Sequence, residues 1–223
     1  MIIGIDIDGV LNYMHEFIIE YGSKICNESG KYKIENINAQ WSTEIFSWPN
    51  EMAHELWDKY GEELYVKSTA RSFASEVIKK LKEQNNEIYI ITARRNNDDW
   101  FPPTLRENAE MVTVNWLNEN KIIYDKIYFD SKDKSKVCRE LGVDIMIEDD
   151  PKNIDMLLDT TKLLIYDTVY NRLDKYKEME RAYSWYDVYM KINKHLFYKC
   201  IAIFLYAVIN INLDFAWYLW YKY

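Results

Sequence analysis

The chain has 223 residues, 48% of them hydrophobic, and a formal net charge of −8. That length and composition hold one full-sized domain with an appendage, which excludes a disordered chain. The acidic balance argues against nucleic-acid polymers, whose binding by counterion release needs a basic surface, but leaves room for a small anion beside a metal or a few local cations.

The cysteines, Cys26, Cys138 and Cys200, are far apart and outside any CxxC or Cys/His pattern. They predict reduced structural thiols and a cytoplasmic protein. Asp6 and Asp8 stand where a signal peptide would be apolar, so no secretion signal is expected.

In chain order, the first predicted strand is Ile2–Ile7, and it runs into Asp6, Asp8 and Gly9. Spaced by two, both carboxylates emerge near the strand's end, and Gly9 lets the chain turn away without a Cβ. Two carboxylates this close repel each other and call for a cation between them or a shared proton. From about Tyr13 to Ser68 no strand is predicted, only two helices, Tyr13–Glu28 and Asn50–Tyr60, around a segment carrying Trp41, Phe46 and Trp48, with Trp57 in the second helix. An insertion there sits over the carboxyl edge of the sheet, where open α/β folds bind ligands. Its aromatics read either as the filling of its own small core or as walls of a binding site.

Phe73, Val77 and Leu81 then predict a helix, and Glu87–Ile91 a buried strand ending in Thr92, Ala93, Arg94 and Arg95. A hydroxyl and backbone amides at that edge can hold a phosphate oxygen, and the two arginines either contact substrate or are solvated. Val112 and Trp116 mark the next helix, and Lys126–Phe129 the next strand, followed by DSKDKSK. Lys134 is preferred as the lysine facing the sheet edge because it follows an aspartate at a helix start; Lys132 and Lys136 are rivals. Val137 and Leu141 form a helix that Gly142 ends. The strand Asp144–Ile147 runs into Glu148, Asp149 and Asp150, with Asp150 suited to a cap and Pro151 to the first helical position. Lys162–Tyr166 is the last predicted strand. This βαβ rhythm predicts an α/β fold, a doubly wound Rossmann-like parallel sheet.

The tail differs. Its uncharged run Cys200–Leu213 has 14 residues, short of the about 20 that a membrane span needs. Trp217, Tyr218, Trp220 and Tyr221 could form an interfacial belt with Lys191, Lys194 and Lys199 on the cytoplasmic side, while Asn210 and Asn212 count against insertion. A packing or dimerisation helix and a membrane anchor both stay open, as does the oligomeric state.

Four strand ends thus carry Asp, Thr, Lys and Asp in order. In this the chain resembles the haloacid dehalogenase superfamily of phosphohydrolases: DIDGV looks like its first motif, IITAR its second, the lysine of DKSK its third and IEDDPKN its fourth. The resemblance covers about Met1 to Asn193. The insertion after the first motif looks like a helical C1-type cap. ITAR, with YNR and SWYDVY further on, is similar to the 5′(3′)-deoxyribonucleotidase-like group, whose members often carry Thr-Ser-Pro where this chain has Thr92-Ala93-Arg94. The expected organisation is a catalytic core from residues 1–12 and 69–193, a cap from 13–68, and the tail 194–223.

The resemblance implies a Mg²⁺-dependent phosphomonoesterase working through an aspartyl-phosphate, with a small phosphorylated substrate, a nucleotide or another phosphate ester. Asp6 would be the nucleophile, Asp8 the acid and base, and Thr92 and Lys134 the stabilisers of phosphate charge. Asp6, the carbonyl of Asp8, and Asp149 would hold the metal. Glu148 would orient Lys134 or a metal-bound water, with Asp150 beside it. Gly9, Ala93, Arg94, Trp41 and Trp48 are the candidate substrate contacts. A phosphoacceptor module is the competing class. Receiver domains, however, place their acidic pair first and their Lys last and lack a large cap, whereas here a second acidic cluster comes last.

Overall fold

The computed structural model describes residues 1–197. Cys200–Leu213 and the aromatic cluster after it lie outside the described residues, and with them the alternatives of anchor and packing helix. No helix among the described residues is long and apolar enough to cross a membrane.

Six parallel strands build the sheet: β1 (Ile2–Ile5), β2 (Glu87–Ile91), β3 (Lys126–Tyr128), β4 (Ile145–Glu148), β5 (Lys162–Tyr166) and β6 (Arg181–Ala182), in the spatial order β3-β2-β1-β4-β5-β6. Ile3 pairs with Ile88 on one side and Ile145 on the other. These residues, with Ile5, Ile90 and Ile147, are buried, as strands covered on both faces must be. The strand order reverses at β1, so the crevice beyond the carboxyl ends of β1 and β4 is a topological switch point. The doubly wound sheet expected from the βαβ rhythm is therefore present. Two details differ from the sequence reading. β1 stops at Ile5, because the chain then turns around Gly9, whose φ is +83°. β6, two residues long, is too short for any period to announce it.

Between β1 and the next core helix lie α1 (Met14–Ser29), α2 (Ser42–Ile45) and α3 (Asn50–Glu62), the last running on into a π-helical turn, Glu63–Lys67. Their apolar faces meet in a cluster of Phe17, Ile25, Phe46, Trp48, Leu56 and Trp57. Phe101 and Ala109, from the connection after β2, belong to the same cluster. This helical layer therefore takes part of its core from the crossover.

The crossovers carry α4 (Ala74–Glu83), α5 (Ala109–Glu119), α6 (Lys134–Leu141) and α7 (Pro151–Leu157). Local chemistry sets their ends as the sequence implied. Asp133 accepts the Lys136 N–H at 3.0 Å and caps α6, which stops at Gly142 in the left-handed region; Asp150 accepts the Lys152 N–H at 2.7 Å and caps α7, with Pro151 in the first turn. Cys26 and Cys138 are free and buried. Residues 1–185 form one compact unit, and the described residues 186–197 belong to a second; these are helical, with Val188 and Ile192 buried.

Candidate active site

The carboxyl ends of β1, β2 and β4 and the start of α6 open into a cavity of about 780 Å³ whose walls include Asp6, Asp8, Thr92, Lys134 and Asp149. These five residues, far apart in sequence, are brought together by the switch point. Lys134, first residue of α6, is wholly buried and bridges Asp6 at 2.8 Å and Glu148 at 2.7 Å. Its rivals lie elsewhere: Lys132 and Lys136 are exposed and pair with Asp130 and Glu140. Burial opposes the Lys134 charge, but Asp6 and Glu148 together hold the ammonium well above its usual range. Glu148 has both oxygens engaged: Oε2 takes Lys134, and Oε1 accepts the N–H groups of Asp149 and Asp150 at 3.1 Å each.

Thr92 is buried, and its hydroxyl accepts the Arg94 N–H at 3.3 Å. Arg94 itself does not behave as an exposed loop arginine. It is 4% exposed, sits against the rings of Tyr65 and Phe101, and grips Asp8 by two bonds, Nε to Oδ2 at 2.8 Å and a terminal nitrogen to Oδ1 at 2.5 Å. Asn12 Nδ2 adds a third at 2.8 Å. Burial would push the Asp8 carboxyl up, yet the Arg94 guanidinium outweighs it and holds the group below the usual range. Asp6 goes the other way: burial and the neighbouring Glu148 overcome Lys134 and push it up to about 8.

Four carboxylates, Asp6, Asp8, Glu148 and Asp149, thus face two cations, Lys134 and Arg94. With all four ionised the excess is two negative charges, which one divalent cation balances. Carboxylate oxygens of Asp6, Glu148 and Asp149 lie within 4.8 Å of one another. Asp149 Oδ1 is buried without a hydrogen-bond partner, a costly state that a cation would relieve. An all-oxygen donor set with an unsatisfied carboxylate fits a hard divalent ion. Within the cluster, Glu148 is engaged by Lys134 and two backbone amides and Asp6 by Lys134, whereas Asp149 Oδ1 is without a hydrogen-bond partner.

Several expectations need correcting. Trp48 does not line the cavity; it is buried against Phe46, ring centroids 4.4 Å apart, because the insertion needs its bulk for a core. Gly9 is not a cavity wall either. Its N–H goes to Asn12 Oδ1 at 2.9 Å, and a Cβ there would collide with Asp149. Asp150 is a helix cap at the cavity wall. Ala93 and Trp41 do line the cavity, Trp41 being more than half exposed.

Other contributors gave no sign of their place in the fold. Trp100 stacks on His54 at 4.9 Å at the cavity wall, and Tyr65 on Phe101 at 4.0 Å deeper in. Tyr170 donates its hydroxyl to Asp149 Oδ2, and Asn171 Nδ2 donates to the Asp149 carbonyl at 2.8 Å. The YNR stretch was a visible oddity, but only the fold brings it to β4. Trp185 of SWYDVY donates to the Val10 carbonyl at 3.3 Å.

Residues 1–197 match the family described as 5′ nucleotidase, deoxy (pyrimidine), cytosolic type C protein. A nucleotidase of Clostridium acetobutylicum is 30% identical over 203 residues, covering 89% of this chain and 96% of that protein. Among solved structures, a haloacid dehalogenase-like hydrolase from Streptococcus pneumoniae superposes with a TM-score of 0.60 at 15% identity, over 86% of this chain and 98% of that one. A Clostridium acetobutylicum protein described as a "predicted phosphatase" gives 0.57 at 15% identity, over the same shares. The chain belongs to the family described as 5′ nucleotidase, deoxy (pyrimidine), cytosolic type C protein, and its fold is that of the haloacid dehalogenase-like hydrolases on which it superposes.

Proposed function

We propose that this phosphatase is a Mg²⁺-dependent nucleotidase, removing the phosphate of (deoxy)nucleoside monophosphates through an aspartyl-phosphate on Asp6. The observation that carries the reading is the convergence of Asp6, Asp8, Thr92, Lys134 and Asp149 on one cavity.

Asp6 attacks phosphorus, forming a P–O bond as the ester P–O bond breaks, which divides one hard displacement into two easier ones. Asp8 gives a proton to the leaving alkoxide, then takes one from the water that attacks the acyl phosphate, releasing inorganic phosphate and restoring Asp6. Arg94 keeps Asp8 ionised, the form the second step needs; the first step asks the same carboxyl to carry a proton against that charge. Lys134 and the Thr92 hydroxyl donate to phosphoryl oxygens as charge builds on them, with Glu148 fixing the Lys134 ammonium and the Ala93 amide at the same edge. Asp6, the Asp8 carbonyl and Asp149 would hold Mg²⁺, which supplies charge neutralisation between the carboxylate nucleophile and the phosphate.

The nucleotide part of the reading draws on the family match and on the aromatic wall formed by Trp41, Trp100 and His54, which suits a stacked base. Residues 13–68, which carry Trp41 and His54, would act as the cap. The test is a panel of phosphate monoesters assayed with Mg²⁺ and with EDTA. Nucleoside monophosphates should lead in kcat/KM, with turnover lost in EDTA. A sugar phosphate leading the panel would contradict the substrate, and full rates in EDTA would contradict the metal.

A further inference from the structure

We propose that Tyr170 is a positioning residue that decides which oxygen of Asp149 is offered to the metal, an inference that rests on the reading that Asp6 and Asp149 hold a divalent cation. Tyr170 lies in the short 3₁₀ turn Val169–Asn171 after β5 and is 8% exposed. Its hydroxyl donates to Asp149 Oδ2, while Oδ1, on the same carboxylate, is buried and has no partner. Asn171 fixes the backbone of the same residue, giving one Nδ2 hydrogen to the Asp149 carbonyl at 2.8 Å and the other to the Tyr166 carbonyl at 2.9 Å. Arg181 in turn holds the Asn171 carbonyl at 2.9 Å. Asp149 is therefore held at its carbonyl and at one carboxylate oxygen, and only Oδ1 is left open.

The Tyr170 ring is itself fixed. His15 of α1 packs on it with centroids 5.2 Å apart. After the neighbouring strand β1, a Cβ on Gly9 would lie 2.7 Å from the Tyr170 hydroxyl and collide with Asp149 Oδ2. The glycine that follows the two leading aspartates is thus required by the Tyr170–Asp149 pair as well as by its own positive φ. Hydrogen bonds to a ligating carboxylate orient it and limit its alternatives, and losing one typically weakens metal binding by about 10–100-fold.

The experiment is Mn²⁺ binding, read by electron paramagnetic resonance and by calorimetry without substrate, on wild type, Tyr170→Phe and Asp149→Asn. Tyr170→Phe keeps the ring and loses only the donor. It should raise the Mn²⁺ Kd about tenfold or more, with near-UV circular dichroism and the Tm in EDTA close to wild type. Wild type and Tyr170→Phe binding Mn²⁺ equally well would overturn the positioning role alone. Wild type binding no Mn²⁺, or Asp149→Asn binding as well as wild type, would overturn the metal reading and this inference with it. If the phenylalanine variant folds poorly, 3-fluorotyrosine in place of Tyr170 changes donor strength without deleting the group. A shifted Kd there supports the role, and an unchanged one overturns it.

Discussion

At the scale of single residues, the Arg94–Asp8 pair shows what a motif leaves unsaid about energetics. ITAR places Thr92, Ala93 and Arg94 at the cavity, but an arginine in a loop gives no sign that it will fold back onto an aspartate 86 positions away. The ion pair is nearly enclosed, with the Arg94 side chain 4% and the Asp8 side chain 26% exposed. Removing one partner of such a pair strands the other charge, so Arg94→Ala should cost about 3 kcal/mol in urea unfolding at pH 7. The sign of its pH dependence follows from Asp8. Its folded pKa lies below the ordinary 3.8, so the pair stabilises fully above that value and the contribution is lost as pH falls through the folded pKa. The gap between wild type and Arg94→Ala should therefore narrow on acidification below about pH 4; a gap that is constant from pH 7 to 3 would contradict the pairing. The places of Asp6, Lys134 and Asp149 at strand ends or a helix start were legible from hydrophobic period and cap chemistry, while the choice of Asp149 among Glu148, Asp149 and Asp150 came from the resemblance of IEDDP to a family motif. Phe101 and His54 were not legible, because nothing in their local pattern distinguishes a cavity wall from ordinary core, and Tyr170 stood out only as part of YNR, with no sign of what it would touch.

At the scale of elements, the helical insertion divides its aromatics between two duties that composition alone left open. Phe46 and Trp48 pack inside the layer, while Trp41 stays more than half exposed at the cavity wall. Trp48→Ala should cost about 3 kcal/mol or more of stability through the space it leaves, with KM for nucleotides little changed in the fraction that stays folded. Trp41→Ala should do the reverse. Stability should hold, and KM for a nucleoside monophosphate should rise several-fold, in keeping with about 1–2 kcal/mol of lost stacking, while a generic aryl phosphate is spared. Steady-state kinetics and thermal melts on the two variants check this, and equal KM effects on both substrates would remove Trp41 from base recognition. The insertion's position was readable because no strand period interrupts residues 13–68; its reliance on Phe101 and Ala109 was not, since that contact crosses from another connection.

At the scale of the whole molecule, the sheet order brings four acids and two cations to one edge, and the resulting strain links stability to pH and metal. Asp6 is pushed up to about 8 in the fold against an ordinary 3.8, so the folded state holds its proton more tightly. Below about pH 4 neither state ionises and nothing is lost; as pH rises toward 8 the metal-free protein should lose stability. A divalent cation binds the ionised form, so the Tm gain on adding Mg²⁺ should be larger at pH 8 than at pH 5, with protons released on binding. Scanning calorimetry in EDTA and in Mg²⁺ measures it, and a gain independent of pH would contradict the linkage. The doubly wound sheet itself was predictable from alternating apolar runs and amphipathic helices. Only β6, with two residues, was too short to see. The central claim is that Asp6 carries the phosphoryl group, and the most direct measurement is chemical trapping. The enzyme is quenched during turnover of a nucleoside monophosphate, reduced with borohydride and mapped by peptide mass spectrometry. The account predicts reduction of one carboxyl, at Asp6, dependent on substrate and absent in Asp6→Asn. Turnover with no reduced carboxyl, or with the label at another residue, would contradict it.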